Sequence, residues 1–398
     1  MGIYKKASTQ MMKNINMSNV ISLIVRKGSI SRADIAKELN MSKSAVSSII
    51  DELLKIGYVK EEGKGEASSN GGRKPINLVF NPDVARVIGI NISGYSIRAV
   101  LSDLGGNILN STICRLNSGE DVIKDVIDIV DKLRDQGKVL GVGIGIPGIV
   151  NIEEASVVYS PALKWQNVKI SKELEKKIGL PVYPENDVKL SALGEKWKGA
   201  GVGIDNFIYL SVARGIGCGI IIDGKLYRGS SYTAGEIGYM VLGQGVKESF
   251  TLNDFGAFEL QAADHAMVRN ALKLMASYSD SYLHKAINET GSAVKPHMVF
   301  EGYELGDKLC QKVIDEYIEL LVMGIANLIA VINPKKVILG GDLYYAGDKA
   351  MDKIMASVNR LAPFDVTIEK SLLGNNAGCI GGVARVLEST DVLKGVLI

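Results

Sequence analysis

A mainly helical N-terminal unit joined to a duplicated α/β body is the fold class that this chain of 398 residues predicts. Three observations lead there. Apolar residues recur at helical spacing before residue 60, and the chain then turns to two short β-type runs around a Gly/Ser-rich tip. From residue 87 onward β-type and helical patterns alternate, as they do in layered α/β proteins. Two stretches in that region, GINISGYSIRAVLSDLGG from Gly89 and VARGIGCGIIIDGK from Val212, share a strand, glycine turn, strand pattern.

The N-terminal unit is read from SRADIAKELNMSKSAVSSIIDELLKIGYV. Ser31 followed by Asp34 is a helix-start signature, and Ile35, Ala36 and Leu39 form one apolar face. Asn40 and Met41 supply a turn, after which Ser42 caps a second helix with Val46, Ile49, Ile50, Leu53 and Leu54 at helical spacing. The opposite face offers Lys43, Ser44, Ser47 and Ser48 near the helix start, small polar and basic groups suited to phosphates and base edges in a major groove. An amphipathic helix at about 16–27 completes a three-helix unit. The segment YVKEEGKGEASSNGGRKPINLVF then reads as a wing, with Arg73 and Lys74 beside Gly71 and Gly72 placed to meet the DNA backbone or minor groove. Charge agrees: residues 1–80 hold 13 Lys+Arg against 7 Asp+Glu, whereas the remainder holds 33 against 37. A basic head on a mildly acidic body points to a polyanionic partner. This unit resembles the winged helix-turn-helix of bacterial repressors.

In the body, strand signals fall at 87–92, 97–103, 139–146, 207–212 and 217–222. Helical patterns fall at about 120–135, 187–198 and 259–275, with a long one at about 307–332 that Asn333-Pro334 ends. KKVILGG then reads as a buried strand running into a glycine turn. Two lobes that each open with a glycine-bearing hairpin describe the ribonuclease-H-like, actin-type architecture, with a ligand cleft between them. The expected division is a head over 1–80, a first lobe over 81–200, and a second lobe with the dimerisation region over 201–398.

Composition narrows the function classes. Cys114, Cys218, Cys310 and Cys379 are scattered without a CxxC pair, which argues against a zinc ribbon or disulfide framework and suits a reducing cytoplasm. The most apolar run, 320–332, is 13 residues long and contains Asn327, too short for a membrane span. No secretory signal core is present at the N-terminus.

Several stretches, in order, resemble the ROK family, whose members include xylose and N-acetylglucosamine repressors and bacterial sugar kinases. They are SNGGRKPINLVFNP, GVGIGIPGIV, PENDVKLSALGE, ARGIGCGIIIDGKLYRGSSYTAGEIGYM, VILGGDL and NNAGCIGG. The resemblance implies a sugar pocket that uses Asn186 and Asp187 of the END turn, Glu236 of the GEIG turn, and Glu259. Tyr239, at a position where the family has a histidine, is counted with them as a ligand-binding residue. Carboxylates and an amide accept from several hydroxyls at once and so orient a sugar. Each residue also has a plainer role open to it: Asn186 or Asp187 as a helix cap, Glu236 as a loop acid, Glu259 as a first-turn acid. Trp165 is either a sugar-facing ring or core.

Departures from the family pattern imply that kinase chemistry is absent. The family's kinases carry an Asp in the first hairpin near metal and phosphates, where this chain has Asn91, a poorer partner for a hard cation. Ser93 replaces a glycine and Tyr95 a small hydroxyl residue. In the second hairpin Arg214 occupies a glycine-rich run and is a candidate anion contact. The family's zinc loop has lost its thiolates to Phe250, Leu252 and Ala257, so no metal or cofactor is expected. His265, His284 and His297 are dispersed and read as surface or helix residues. The expected function is a sugar- or polyol-responsive transcriptional repressor, cytoplasmic, reading palindromic operator DNA as a homodimer or tetramer. Its rivals are a sugar kinase with an added DNA-binding domain and an effector-independent DNA-binding dimer.

Overall fold

The head folds because each helix gathers its apolar residues on one face. The computed structural model describes residues 9–64, 76–94, 96–116, 121–134, 137–243 and 255–396. Its head comprises α1 (Thr9–Lys27), β1 (Ile30–Ser31), α2 (Arg32–Glu38), α3 (Lys43–Ile56), β2 (Val59–Lys64) and β3 (Ile76–Phe80). Both expected caps form: Ser31 Oγ accepts from the Asp34 amide and Ser42 Oγ from the Ala45 amide. Gly57, in the left-handed region, ends α3. Val20, Ile24, Ile35, Val46, Ile50 and Leu53 are buried together. The first helix starts at Thr9 rather than near 16; Met11, Met12 and Ile15 on its first turns are exposed, so the burial pattern that marks the rest of the helix is missing there. β3 pairs antiparallel with β1 and β2 to make the base of the wing. Arg73 and Lys74 lie outside the described residues.

The first lobe follows without a long linker: β4 (Arg86–Ile92), β5 (Ser96–Asp103), β6 (Ile108–Arg115), α4 (Val122–Arg134), β7 (Val139–Ile146), β8 (Ile149–Asn151), β9 (Ser156–Ser160), β10 (Trp165–Val168), α5 (Ile170–Ile178), β11 (Val182–Asn186) and α6 (Asp187–Lys198). The second contains β12 (Phe207–Val212), β13 (Ile216–Ile222), β14 (Lys225–Tyr227), α7 (Glu259–Ala262), α8 (Asp264–Met275), α9 (Tyr282–Thr290), α10 (Pro296–Glu304), α11 (Lys308–Ile332), β15 (Lys336–Gly341), α12 (Asp348–Leu361) and β16 (Thr367–Lys370), and α13 (Ala377–Ser389) closes the chain. The two main sheets have orders β11-β7-β4-β5-β6 and β16-β15-β12-β13-β14. In each, a three-stranded antiparallel meander is extended by two parallel strands on the side of its first strand. The weak sequence repeat is therefore a true duplication of topology, the two-lobed actin-like fold. The helix expected at 259–275 is two helices, broken where Ala263 turns extended with ψ 170°. Asn333, left-handed at φ 48°, ends α11 as expected.

One boundary differs from expectation. The C-terminal helix α13, expected in the second lobe, packs on β4, β7 and α6 of the first. Its glycines permit this. A Cβ on Gly381 would lie 1.7 Å from the Leu190 carbonyl oxygen, and one on Gly143 of β7 would lie 1.9 Å from that of Gly382. Backbone touches backbone on both faces of the helix, so NNAGCIGG is a packing motif here.

One apolar cluster runs from the head into the body, through Leu23, Ile50 and Leu53 to Trp197, Val386, Leu387 and Leu393. Polar contacts reinforce it. Ser18 Oγ donates to the Asp391 and Val392 carbonyls at 3.2 and 3.0 Å, and Asn14 Nδ2 to Asp391 Oδ2 at 3.3 Å. Trp165 packs against the core of the first lobe. No helix among the described residues is long and apolar enough to cross a membrane.

Candidate functional site

The head presents the start of α3 to solvent. Ser42, Lys43, Ser44 and Ser48 are exposed, and Ser47 is half-buried. Val46, Ile49, Ile50 and Leu53 hold the opposite face in the core, so packing fixes which side chains point outward. The Ser42 hydroxyl is engaged as the helix cap and lies 3.1 Å from that of Ser44.

The second candidate site is a cleft of about 710 Å³ between the lobes. Its first-lobe wall includes Asn91, Ser93, Ser96, Arg98, Asp187 and Ser191. The β4–β5 hairpin is closed by Ser93, whose hydroxyl donates to the Ser96 carbonyl and accepts from the Ser96 amide, both at 3.0 Å. Asn91 sits where β4 meets β7, against Gly145 and Gly378, and its buried Oδ1 finds no donor among the described residues. Tyr95 lies outside the described residues. Arg214, at the turn between β12 and β13, donates from Nη1 to the Gly94 carbonyl at 3.2 Å. The guanidinium thus bridges the two hairpins.

The carboxylates expected to hold a sugar are brought into one region, but in unequal ways. Asp187, the first residue of α6, lines the open cleft. Burial pushes its carboxyl up to about 6, opposed by backbone amides and Lys189. Glu236 follows Gly235, whose φ of 88° and contact with the Cys218 carbonyl, 1.8 Å from where a Cβ would sit, draw the loop against β13. Burial pushes Glu236 up to about 7; Lys189 opposes this, while Asp187 and Glu259 add to it. Glu236 is thus in electrostatic reach of both Asp187 and Glu259, and of the three Asp187 lines the cleft. Glu259, however, already accepts from the Ile216 amide at 2.9 Å and the Gly256 amide at 3.0 Å, and so staples the start of β13 to the loop before α7. Asn186 is the N-cap of α6: Oδ1 accepts from the Lys189 amide and Nδ2 donates to the Gly148 carbonyl. For these two residues the plainer roles are realised. Tyr239 ends the short turn 237–239 and is half-buried.

Sequence reasoning missed much of the second-lobe wall. Asp264 and Asp342 share a hydrogen bond there, which puts a proton between them. Burial raises both, and on Asp264 the charge of Asp342 adds to it. Lys295, His265 and His297 line the same wall, so these two histidines face the cleft rather than the outer surface. The ring of His265 lies 4.7 Å from that of Phe255, and burial lowers its affinity for a proton. Of these residues only Asp342 stands in a motif, VILGGDL; the others sit on or beside helices whose patterns mark packing alone. Lys189, 2% exposed, and the ion pair of Arg228 Nε with buried Glu185 at 2.7 Å were also missed, although all three stand in quoted stretches, because a charge there reads as solvated. Among the expected zinc-loop positions, Phe250 and Leu252 lie outside the described residues, and Ala257 is buried. No cluster of metal-ligating side chains occurs among the described residues.

Head and body together define a class: a winged helix-turn-helix DNA-binding domain carried on the two-lobed fold of sugar kinases. Residues 14–60 match the winged helix-turn-helix DNA-binding family model, and residues 87–389 match that of the ROK family. The chain belongs to the ROK family. A xylose repressor of Caldicellulosiruptor bescii is 34% identical over 397 residues, spanning 96% of this chain and 98% of its own. The xylose repressor of Bacillus subtilis is 29% identical, spanning 96% and 97%. The crystal structure of a ROK family transcriptional regulator homologous to the E. coli MLC protein superposes with a TM-score of 0.82 at 25% identity, covering 97% of this chain and 98% of that one. A ROK glucokinase from Streptomyces griseus, in complex with glucose and AMPPNP, aligns at TM-score 0.68 and 27% identity over 75% of this chain and 98% of its own.

Proposed function

We propose that this protein is a sugar-responsive transcriptional repressor. The observation that carries the reading is the fusion of a DNA-reading head, in one continuous core, to a body whose interlobe cleft gathers polar acceptors. Ser42, Lys43, Ser44, Ser47 and Ser48 contact the operator, and Arg73 and Lys74 extend the contact from the wing. The functional protein is a homodimer or a pair of dimers, and its operator is a near-palindrome. The head spans residues 1–80 and the first lobe 81–200 together with α13; the second lobe begins at 201. The effector is a neutral sugar or polyol held by Asp187 and Glu236, with Glu259, Asn186 and Tyr239 shaping the pocket. Similarity to xylose repressors along nearly the whole chain supports a pentose as the first candidate.

Phosphoryl transfer is not part of this function. Asn91 offers no charge to a metal ion, and Arg214 spans the two hairpins that would cradle a nucleotide's phosphates. The effector acts by binding one arrangement of lobes and heads better than the other. Two helices are suited to carry that preference. α6 starts at Asp187 and ends beside Trp197 in the head-containing core, and α13 starts at the cleft near Gly378 and ends beside the 390–392 segment held by α1.

The test is fluorescence anisotropy of a labelled operator duplex titrated with protein, repeated with D-xylose and a panel of neutral sugars. A sugar that changes operator affinity by about tenfold or more, with no ADP release in a coupled assay with Mg-ATP, is the expected result. Operator binding that no sugar alters favours the effector-independent dimer. Turnover in the usual kinase range of about 1–100 per second would reinstate the enzyme.

A further inference from the structure

The chain passes between the lobes twice, after α6 through residues 199–206 and after β16 through residues 371–376. Glu195, in the last turn of α6 and fully buried, reaches both crossings with one carboxylate. In the first crossing its Oε2 accepts from the Ala200 amide at 2.7 Å. In the second its Oε1 accepts from the Ser371 hydroxyl, and from the Leu373 amide at 3.0 Å. The Ser371 hydroxyl in turn accepts from the Gly374 amide at 2.8 Å, which closes the second crossing into a turn. The Ala200 carbonyl is held from the other lobe, by Lys336 Nζ of β15 at 2.8 Å. Gly199 lies so close that a Cβ there would sit 2.0 Å from Glu195 Oε2. The second crossing also borders the cleft, through Gly374 and Asn375, and Asp187 of the cleft lies on the same helix as Glu195, two turns earlier.

We propose that Glu195 is the hinge residue of this protein: it pins both crossings to the end of α6, so that the lobes turn about one point and a change in the cleft reaches the head as a single movement. The proposal rests on the sugar-responsive reading only for what drives that movement. An ionised carboxylate only accepts, and each of the three groups bonded to Glu195 here can donate. Bonds to a charged acceptor are about twice as strong as neutral ones. With the carboxylate fully buried, water does not replace a bond that is lost. While both crossings are fixed to one side chain, neither shifts alone. Released from it, each becomes an independent joint, and lobe position no longer sets the seat of α13, which starts three residues after Gly374. In Glu195→Gln the amide nitrogen faces either the Ala200 or the Leu373 N–H, whichever way the group is turned, so one crossing is always released.

The experiment pairs pulsed electron paramagnetic resonance with the operator titration, with and without D-xylose. Spin labels go on exposed positions of α5 and α12 through Lys176→Cys and Asn359→Cys, with Cys114→Ser because the other three cysteines are buried. Labelled protein is diluted with unlabelled protein so that one chain is read at a time. Wild type gives one narrow interlobe distance that moves as a single peak when sugar binds. Glu195→Gln broadens that distribution by about twofold or more. It also cuts the sugar-induced change in operator affinity from about tenfold to about twofold or less, with operator affinity in the absence of sugar kept within about threefold. Gly199→Ala, which displaces the same carboxylate, does likewise and serves should glutamine unfold the chain, as judged by circular dichroism. Leu283→Ala, a truncation in the core of the second lobe, lowers the urea midpoint and keeps both width and ratio, as a merely structural Glu195 would. A wild-type width in the folded variants overturns the proposal, and so does a wild-type ratio where sugar shifts the operator. Broadening in a protein that no sugar affects leaves the hinge standing and overturns the sugar-responsive reading.

Discussion

Replacing Asp264 by asparagine tests the proton that this structure places between two carboxyls in the cleft. Burial and the nearby Asp342 hold the Asp264 carboxyl well above the ordinary carboxylate range. The folded protein therefore keeps a proton that the unfolded chain gives up near pH ~4. Its contribution to stability is complete below the unfolded value and is lost as pH rises through the raised one. Every tenfold change in proton affinity is worth about 1.4 kcal/mol. Both side chains border the cleft, where water screens them, so the loss between about pH 5 and pH 8.5 should be about 2–3 kcal/mol. Asparagine preserves a donor to Asp342 without a proton to lose. Urea unfolding of wild type and Asp264→Asn at both pH values gives the difference directly. Asp187 and Glu236, also raised, contribute a slope of the same sign to both proteins and cancel in the comparison. Wild type should lose about 2–3 kcal/mol more than the variant over this interval. Equal losses would show that the two acids do not share a proton.

Four further outcomes are expected. Asp187→Ala should weaken sugar binding by roughly ten- to a hundredfold in calorimetry while leaving operator affinity without sugar unchanged. Sugar affinity should fall by about tenfold from pH 8 to pH 6, because Glu236, raised to about 7, loses the charge with which it accepts a hydroxyl; Glu236→Gln should flatten that profile. Ser18→Ala combined with Asn14→Ala removes the side-chain bonds to Asp391 and Val392, and should shrink the sugar-induced change in operator affinity more than operator affinity itself. Gly381→Ala should destabilise by about 3 kcal/mol or more, read as a lower urea midpoint, since its Cβ would sit 1.7 Å from a carbonyl oxygen that belongs to α6.

What could be read from the sequence divides along physical lines. The head was legible because its signals are local: Ser31 and Ser42 cap helices through bonds to residues three positions on, and Gly57 ends a helix by its own conformation. The duplicated hairpins were legible because a strand, turn, strand pattern repeats within one short window. The final helix belongs to the other lobe than its sequence position suggests because its partners, β4 and β7, are more than 200 residues away, and glycine contacts on both faces leave no polar-apolar stripe. The site shows the same division. Asp187 and Glu236 stood in recognisable turns. Asn186 and Glu259 stood in equally recognisable ones, yet both are engaged by backbone groups whose approach only the folded chain reveals. Asp264, His265 and His297 carry no local mark, since a charged residue on a helix reads as surface until another lobe is packed over it.

The shared core changes how a signal from the cleft should be understood. Were the head tethered by a free linker, occupancy of the cleft would reach DNA only through the spacing of two bodies. Here the head's own apolar residues are continuous with Trp197 at the end of α6 and with Val386 and Leu387 of α13. Both helices begin at the cleft, and their glycine contacts leave them no room to slide past each other without breaking backbone packing. A close-packed pair of this kind has few intermediate positions. Lobe movement that displaces Asp187 must then either carry α13 and the 390–392 segment with it, which shifts the seat of α1, or break the bonds that Ser18 and Asn14 make there. The free energy available for either is limited to the difference in sugar affinity between the two arrangements. For a tenfold change in operator affinity that difference need be only about 1.4 kcal/mol, comparable to the side-chain hydrogen bonds at the α1 contact.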